Sequence, residues 1–372
     1  MIFSVLLTPL AKGVIIRRPR VMALAERQQW DACGIRAMQR LRAKHGLAPY
    51  PLRIFGRQFA LLIDPAEVER VLEHSPEPFA PATREKTAAL RHFQPHGVLT
   101  SRGELRELRR AFNEIVLAAD VDVEAVVEYE VDRMLQHTTT LDWDTFAVCW
   151  WRIVRRIVLG TGARDDNGLT DSLAALRRAA NWAFLRPQRR GLRRRFQRGL
   201  AVHLDRAEQG TLAAAIADVP VAPGVDPYGQ VPHWLFAFDA AGMSTFRALT
   251  LPPDDLAVLE AVRLWPTTPL LLRESTVDGT TYLIYTPFFH RDDETLPFAH
   301  RFAPEIWRNG RKPALVPFSA GPGVCPGRDL VLRTGAAVLT ALRARHHFTP
   351  SVSFGPELPA TLNHFGLRFE VN

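Results

Sequence analysis

The stretch FSAGPGVCPG, Phe318 to Gly327, places a single cysteine, Cys325, in a loop of small residues with the spacing F-x-x-G-x-x-x-C-x-G. Pro326 suits the first position of a helix, and GRDLVLRTGAAVLTALRAR continues with an amphipathic helical pattern, so Cys325 is expected to cap a helix N-terminus. Free amides and the positive dipole end there lower a thiol pKa and stabilise a thiolate. Pro326 has no N–H, which leaves Gly327 and Arg328 to supply the nearest donors. Gly321, Gly323 and Gly327 let backbone approach a flat ligand closely, and Phe318 covers the sulfur from water. A lone cysteine in a glycine turn is most simply a buried structural residue. With all four spaced positions filled, ligation of haem iron is the better reading.

These residues resemble the haem-binding loop of the cytochrome P450 superfamily. The resemblance implies a mainly α fold with small β-sheets, one domain over residues 1–372, and haem b ligated by Cys325. It extends upstream in the order the family requires. In SRGELRELRRAFNEIVL, a helical stretch, Arg109 is the candidate for a haem propionate, although the Trp or His usual four residues earlier is Leu105 here. In the apolar helix HWLFAFDAAGMSTFRALTL, the segment AGMST resembles the family's oxygen-binding signature, with the helix opened at Gly242 and Thr245 as the hydroxyl that contacts oxygen. A helical threonine can equally bond back to the preceding turn. The acid that usually precedes this threonine is replaced by Ser244, and Asp239 projects to another face, so a proton relay is expected through Ser244, Thr245 and water.

The interior helix then passes almost directly into LPPDDLAVLEAVRLWP, as though one family helix were lacking. Glu260 and Arg263 share one face there and resemble the structural E-x-x-R pair. Arg273, on the extended LLLRES, is the second propionate candidate. RFAPEIW resembles the following meander, with Ile306 where an arginine normally joins the pair; Arg308 or Arg301 is expected to compensate. Gly323 stands where the family commonly has an Arg or His for a propionate.

At 372 residues and 47% hydrophobic content the chain can bury a sizeable core. The formal charge of +8 is almost all arginine, since Lys12, Lys44, Lys86 and Lys312 are the lysines. No interleaved aromatic and basic motif marks a nucleic-acid module, and an acidic protein partner is the more economical use of the charge. Cys33, Cys149 and Cys325 are odd in number and far apart, so no disulfide framework is implied and a cytoplasmic setting fits. The N-terminal MIFSVLLTPLAKGVIIRRPR is apolar but broken by Pro9 and Lys12, and shorter than a membrane span requires. Two readings stand for it: docking on the domain, or peripheral contact with a membrane.

Elsewhere the pattern predicts a helix from Arg20 to His45, two short strands about Gly56, and a helix opened by Asp64 and Pro65. A proline-rich loop from Pro76 to about Thr100 follows, and then helices over Val123–His137, Trp143–Leu159, Leu169–Leu185 and Gly191–Glu208. Pro220 to Pro232 reads as a linker, and a hairpin is expected about Asp278 and Gly279 with a turn at His290 to Asp292.

By resemblance, the leading function is a haem-thiolate monooxygenase that inserts one oxygen atom of dioxygen into an apolar small molecule. No G-x-G-x-x-G fingerprint is present, so electrons are expected from a separate donor such as a ferredoxin with its reductase. Ser244 motivates an alternative, a peroxide-using or redox-neutral enzyme of the same kind. The accumulated departures motivate another, a non-catalytic binder of haem or a hydrophobic ligand.

Overall fold

A computed structural model describes residues 2–308, 310 and 313–372. The architecture is mainly helical with two small sheets. Two compact units are distinguished: Met1–Thr83 with Arg247–Cys325 and Val352–Leu367, and Arg84–Phe246 with Pro326–Ser351 and Arg368–Asn372.

The first unit carries a five-stranded sheet in the order Tyr50–Ile54, Arg57–Leu61, Thr281–Tyr285, Leu270–Ser275, Phe79–Ala80. Neighbouring strands are antiparallel except Arg57–Leu61 and Thr281–Tyr285, which run parallel. Both expected turns form at glycines with positive φ, +77° at Gly56 and +72° at Gly279, where a side chain would be strained. Leu61, Leu283 and Ile284 of this sheet pack with Val68, Val71 and Leu72 of helix Pro65–Glu73 and with Met38 and Leu41 of helix Trp30–His45. Asp64 caps helix Pro65–Glu73, its Oδ1 accepting from the Ala66 N–H at 2.9 Å.

Helix Ile2–Lys12 packs on Trp30–His45. Buried Lys12 donates from Nζ to both Asp31 oxygens at 2.6 and 2.8 Å. Burial opposes the Asp31 charge, but Lys12 and the Thr361 hydroxyl outweigh it and hold the carboxyl below its usual range. The docked reading of the N-terminal segment therefore has a physical anchor at Lys12, while Leu7 and Leu10 stay exposed. Among the described residues no helix is long and apolar enough to cross a membrane.

The second unit holds helices Gly103–Leu117, Val123–Leu135, Trp143–Leu159, Asn167–Ala180, Arg190–Leu204, Leu212–Asp218 and Arg328–Arg343, and most of helix Pro227–Ala248. Its three-stranded antiparallel sheet is ordered Thr140–Asp142, Arg368–Val371, Phe348–Pro350.

Several boundaries differ from the sequence expectation. The Pro76–Thr100 stretch is not all loop: Phe79–Ala80 pairs with the sheet of the first unit, and REKTAAL, rich in helix formers, makes helix Arg84–Leu90. The linker expected to reach Pro232 stops at Asp226, because Pro227 is compatible with a first helical turn and the helix then runs through Pro232. Helix Leu212–Asp218 has no counterpart in the sequence expectation, although Thr211 caps it by accepting from the Ala214 N–H at 3.3 Å. The turn expected at His290 to Asp292 is largely helical, over Thr286–Arg291.

Candidate functional site

In the first unit, the cysteine loop is closed by its own backbone. The Cys325 N–H donates to the Phe318 carbonyl at 2.9 Å, so the two ends of the motif are tied together. Helix Arg328–Arg343 begins later than expected and its N-cap is Gly327, at φ −91°, not Cys325. That corrects the capping expectation: the cysteine lies before the helix, with its amide committed to the loop. Gly321 is at φ +59°, and a Cβ there would meet the Leu72 carbonyl oxygen at 2.5 Å. Close approach is thus required at Gly321, but by the end of helix Pro65–Glu73. At Gly327 an added Cβ would meet Leu117 Cδ1 at 3.7 Å, an ordinary contact, so no neighbour among the described residues demands glycine there.

Arg273 is buried beside this loop, with 3% of its surface exposed. Its Nη2 donates to Ser319 Oγ at 3.0 Å, its Nε to Ser75 Oγ at 3.1 Å and its Nη1 to the Leu272 carbonyl at 3.0 Å. An added Cβ at Gly323 would come within 2.9 Å of Arg273 Nη2. The space left by Gly323 is therefore filled by a guanidinium from the adjacent strand.

Also in the first unit, Glu260 and Arg263 are fully buried and paired by two hydrogen bonds, Nε to Oε1 at 2.7 Å and Nη2 to Oε2 at 2.8 Å. Arg263 also donates to the carbonyls of His290, Ala299 and Arg301, and Glu260 accepts from the Ala303 N–H. The expected arginine substitute is not Arg308, whose guanidinium holds Asp254 and Asp255 on the surface, nor the Arg301 side chain, since Arg301 contributes its carbonyl. Trp307 fills the role instead, its Nε1 donating to Glu260 Oε1 at 2.7 Å. Ile306, buried with Phe298, Ala303 and Leu315, turns the neighbouring indole toward the carboxylate by belonging to that small core.

His290 joins this network to the loop. Its carbonyl takes Arg263, and its Nε2 accepts from the Val316 N–H at 3.0 Å, which leaves the proton on Nδ1. Burial, reinforced by Arg263, lowers its pKa to about 3, so the ring is neutral. The sequence reading places His290 only in a turn; the signal available was a polar ring inside the apolar run YTPFFH.

In the second unit, helix Pro227–Ala248 is continuous through Gly242, contrary to the opening expected there. A Cβ at Gly242 would meet Trp150 Nε1 at 2.6 Å, and that indole donates to the Phe238 carbonyl at 2.8 Å. Gly242 admits an aromatic ring that takes a helix carbonyl from outside the ladder. Close by on the helix, Ser244 donates from Oγ to the Ala240 carbonyl at 3.2 Å. Thr245 does not: its Oγ1 is buried and has no hydrogen-bond partner among the described residues. The back-bonded alternative is thus realised at Ser244 and not at Thr245, although both hydroxyls were open to it.

Arg109 is buried on helix Gly103–Leu117. Its Nη1 donates to Ser101 Oγ at 2.6 Å, and Nη2 and Nε to the Gly224 carbonyl at 3.0 and 3.3 Å. Burial lowers its pKa against the pull of Asp226, and among the described residues it makes no ion pair. A guanidinium desolvated against neutral oxygens retains affinity for an anion.

No model of a known protein family matches the chain. Among curated proteins, 112 residues are 31% identical to human Cytochrome P450 4V2, and 103 residues are 31% identical to the mouse protein of that name. The human match spans 26% of this chain and 21% of the relative's length. Solved structures agree over far more of the chain. A cytochrome P450 designated CYP102L1 superposes with TM-score 0.71 at 15% identity, over 91% of this chain and 94% of that one. A variant of cytochrome P450SP alpha (CYP152B1) gives 0.68 at 18% identity over 91% and 96%, and a six-coordinated cytochrome P450 from Thermus thermophilus gives 0.66 at 21% over 91% and 98%.

Proposed function

We propose that this chain, which has the cytochrome P450 fold, is a haem-thiolate oxidoreductase that inserts one oxygen atom of dioxygen into an apolar small molecule. Cys325 would hold the iron of haem b, and Arg273 and Arg109 are the candidate partners for its propionates. When bound, haem supplies activation of dioxygen, with the thiolate favouring O–O cleavage. One oxygen atom enters a C–H bond of the substrate and the other leaves as water, which consumes two electrons and two protons. Electrons come from a separate donor such as a ferredoxin with its reductase.

The observation that carries the reading is Thr245. A buried hydroxyl without a partner costs free energy, and a group that accepts or donates there when ligands are bound removes that cost. Thr245 positions a proton at Oγ1, Ser244 keeps its own proton on the Ala240 carbonyl, and the Glu260–Arg263–Trp307 network holds the chain that precedes the cysteine loop. The residues fit the group on these grounds: an orphaned hydroxyl on the long helix, and buried guanidinium groups in the segments where propionate partners are expected.

A second reading has its own support. Ser244 offers no carboxyl and its hydrogen points back along the helix, so proton delivery to dioxygen lacks the usual acid. Peroxide already carries its protons and electrons and bypasses that requirement. Turnover of an apolar probe is the test: product with ferredoxin, reductase and dioxygen supports the first reading, and product with hydrogen peroxide alone supports the second. Probe bound without product under both regimes leaves only a binding protein.

A further inference from the structure

The sequence holds two Asn–Gly pairs, Asn167–Gly168 and Asn309–Gly310, and Asn309 lies outside the described residues. In such a pair the glycine nitrogen, with no side chain beside it, can reach the carboxamide carbon of the asparagine before it. Asn167 and Gly168 belong to the second unit, are both exposed, and open helix Asn167–Ala180. The Gly168 N–H is one of the first-turn amides for which a helix supplies no acceptor, so the helical ladder does not hold it.

A cation and an anion converge on this dipeptide. Arg155, buried on helix Trp143–Leu159, donates from Nη2 to Asn167 Oδ1 at 2.9 Å, and its remaining bonds go to the Arg164 carbonyl and Thr170 Oγ1, both neutral. Asp166, the N-cap, accepts from the Leu169 N–H at 3.1 Å, and its Oδ1 would lie 3.5 Å from a Cβ built on Gly168. His203, from helix Arg190–Leu204, meets the other oxygen of Asp166 at 3.0 Å. Burial opposes the Asp166 charge, but His203 and the Leu169 N–H outweigh it and hold the carboxyl below its usual range.

We propose that Asn167 is a self-modification site, deamidated by attack of the Gly168 nitrogen on its carboxamide carbon, with Asp166 and Arg155 assisting. The N–Cγ bond forms as the Gly168 proton passes to the Asp166 carboxylate. Arg155 stabilises the negative charge that gathers on Oδ1. The carboxamide C–N bond then breaks, ammonia leaves with that proton, and water opens the cyclic imide to aspartate or isoaspartate. One water is added and one ammonia lost, with no oxidant or reductant. The attack takes Asn167 out of the helical conformation, which frays the first turn only.

The product changes the position of Arg155. Burial lowers its pKa to about 10, and among the described residues no carboxylate is hydrogen-bonded to it. A carboxylate at position 167 gives it a counter-ion, in the first turn of a helix where negative charge is also favoured. Asp165 and Asp166 oppose a third negative charge, but Arg152 and Arg164 hold Asp165 and His203 holds Asp166.

The test incubates the haem-loaded full chain at neutral pH and follows it by peptide mass mapping, which separates Asn167 from Asn309. Asn167 is expected to convert in the folded chain at least as fast as in the urea-unfolded chain. Gly168→Ala slows conversion about tenfold or more by crowding the attacking nitrogen, and Arg155→Gln about threefold or more by removing the charge at Oδ1. Asp166→Asn keeps a cap and slows conversion about threefold or more, which covers the case in which Arg155→Gln does not fold. Asn167→Asp, which reproduces one product, is expected to raise the thermal midpoint by about 1 °C or more. Slower conversion in the folded than in the unfolded chain, or a wild-type rate in Asp166→Asn, overturns the self-modification. A midpoint that does not rise in Asn167→Asp overturns the counter-ion.

Discussion

The indole N–H of Trp307 donates to Glu260 Oε1 at 2.7 Å, sharing with Arg263 a carboxylate that has no solvent exposure. Charge neutrality comes from one guanidinium, and a neutral ring supplies the donor where a second guanidinium was expected. Removing the carboxylate leaves Arg263 as an unpaired buried cation. Glu260→Ala is expected to lose about 3–5 kcal/mol of stability, and Trp307→Phe about 1.5–3, since it removes one hydrogen bond to a charged group. Denaturant unfolding of the two variants measures the difference; a Trp307→Phe variant as stable as wild type would show that the indole serves by packing alone.

The two glycines of the cysteine motif are expected to respond unequally. Gly321→Ala places a Cβ 2.5 Å from the Leu72 carbonyl at positive φ. The left-handed backbone alone costs about 1–2 kcal/mol, and the clash adds to it. Gly327→Ala meets an ordinary contact and loses under about 1 kcal/mol as an N-cap change. Thermal unfolding orders them, and a Gly327→Ala variant less stable than Gly321→Ala would contradict the assignment.

Gly242 and Trp150 form a testable pair. Gly242→Ala alone forces the indole away from the Phe238 carbonyl and is expected to cost about 1–3 kcal/mol. In the Trp150→Phe background, whose ring lacks the clashing Nε1, the same change costs less, a coupling of about 0.5 kcal/mol or more in a double-mutant cycle. Strict additivity would show that the glycine serves something other than the ring.

This pair also shows what the sequence could and could not convey. AGMST marks the right helix, but Gly242 reads there as an opening, because spacing along one strand of sequence cannot reveal an aromatic ring arriving from helix Trp143–Leu159. The same limit applies at Ile306: the missing arginine was legible, and its replacement by Trp307 was not, since an adjacent side chain can be turned inward only by the local core it belongs to. Strand pairs about Gly56 and Gly279 were legible because turn glycines act locally. Helix ends such as Ala180 and Leu204 were not, since amphipathic patterns continue past the last hydrogen-bonded turn.

Thr245→Val removes a buried hydroxyl that has no partner among the described residues, so stability is expected to hold or rise slightly while oxygenation of substrate falls. Ser244→Ala loses the weak bond to the Ala240 carbonyl and changes stability by about 1 kcal/mol or less. Unfolding curves and product yield are compared on the same samples. A marked loss of stability in Thr245→Val would mean that the hydroxyl is structural.

Acid is expected to loosen the network that His290 ties to Val316. The folded pKa of His290, about 3, lies below the ordinary histidine value of 6.5, so the unfolded chain binds more protons between them. The stability from this neutral ring is complete above about pH 6.5 and is lost as pH falls toward 3. His290→Gln retains an acceptor for the Val316 N–H and does not titrate, so its stability between these limits is less pH-dependent than that of wild type. Identical slopes for both proteins would contradict the role given to His290.

The central claim is that Cys325 ligates haem iron as a thiolate. The most direct measurement is the ferrous carbon-monoxide difference spectrum of wild type and Cys325→Ala, each expressed with adequate haem. Wild type is expected to give the red-shifted band of a thiolate-ligated haem, and Cys325→Ala to lose it. Retention of that band in Cys325→Ala, or its absence from haem-loaded wild type, would contradict the account.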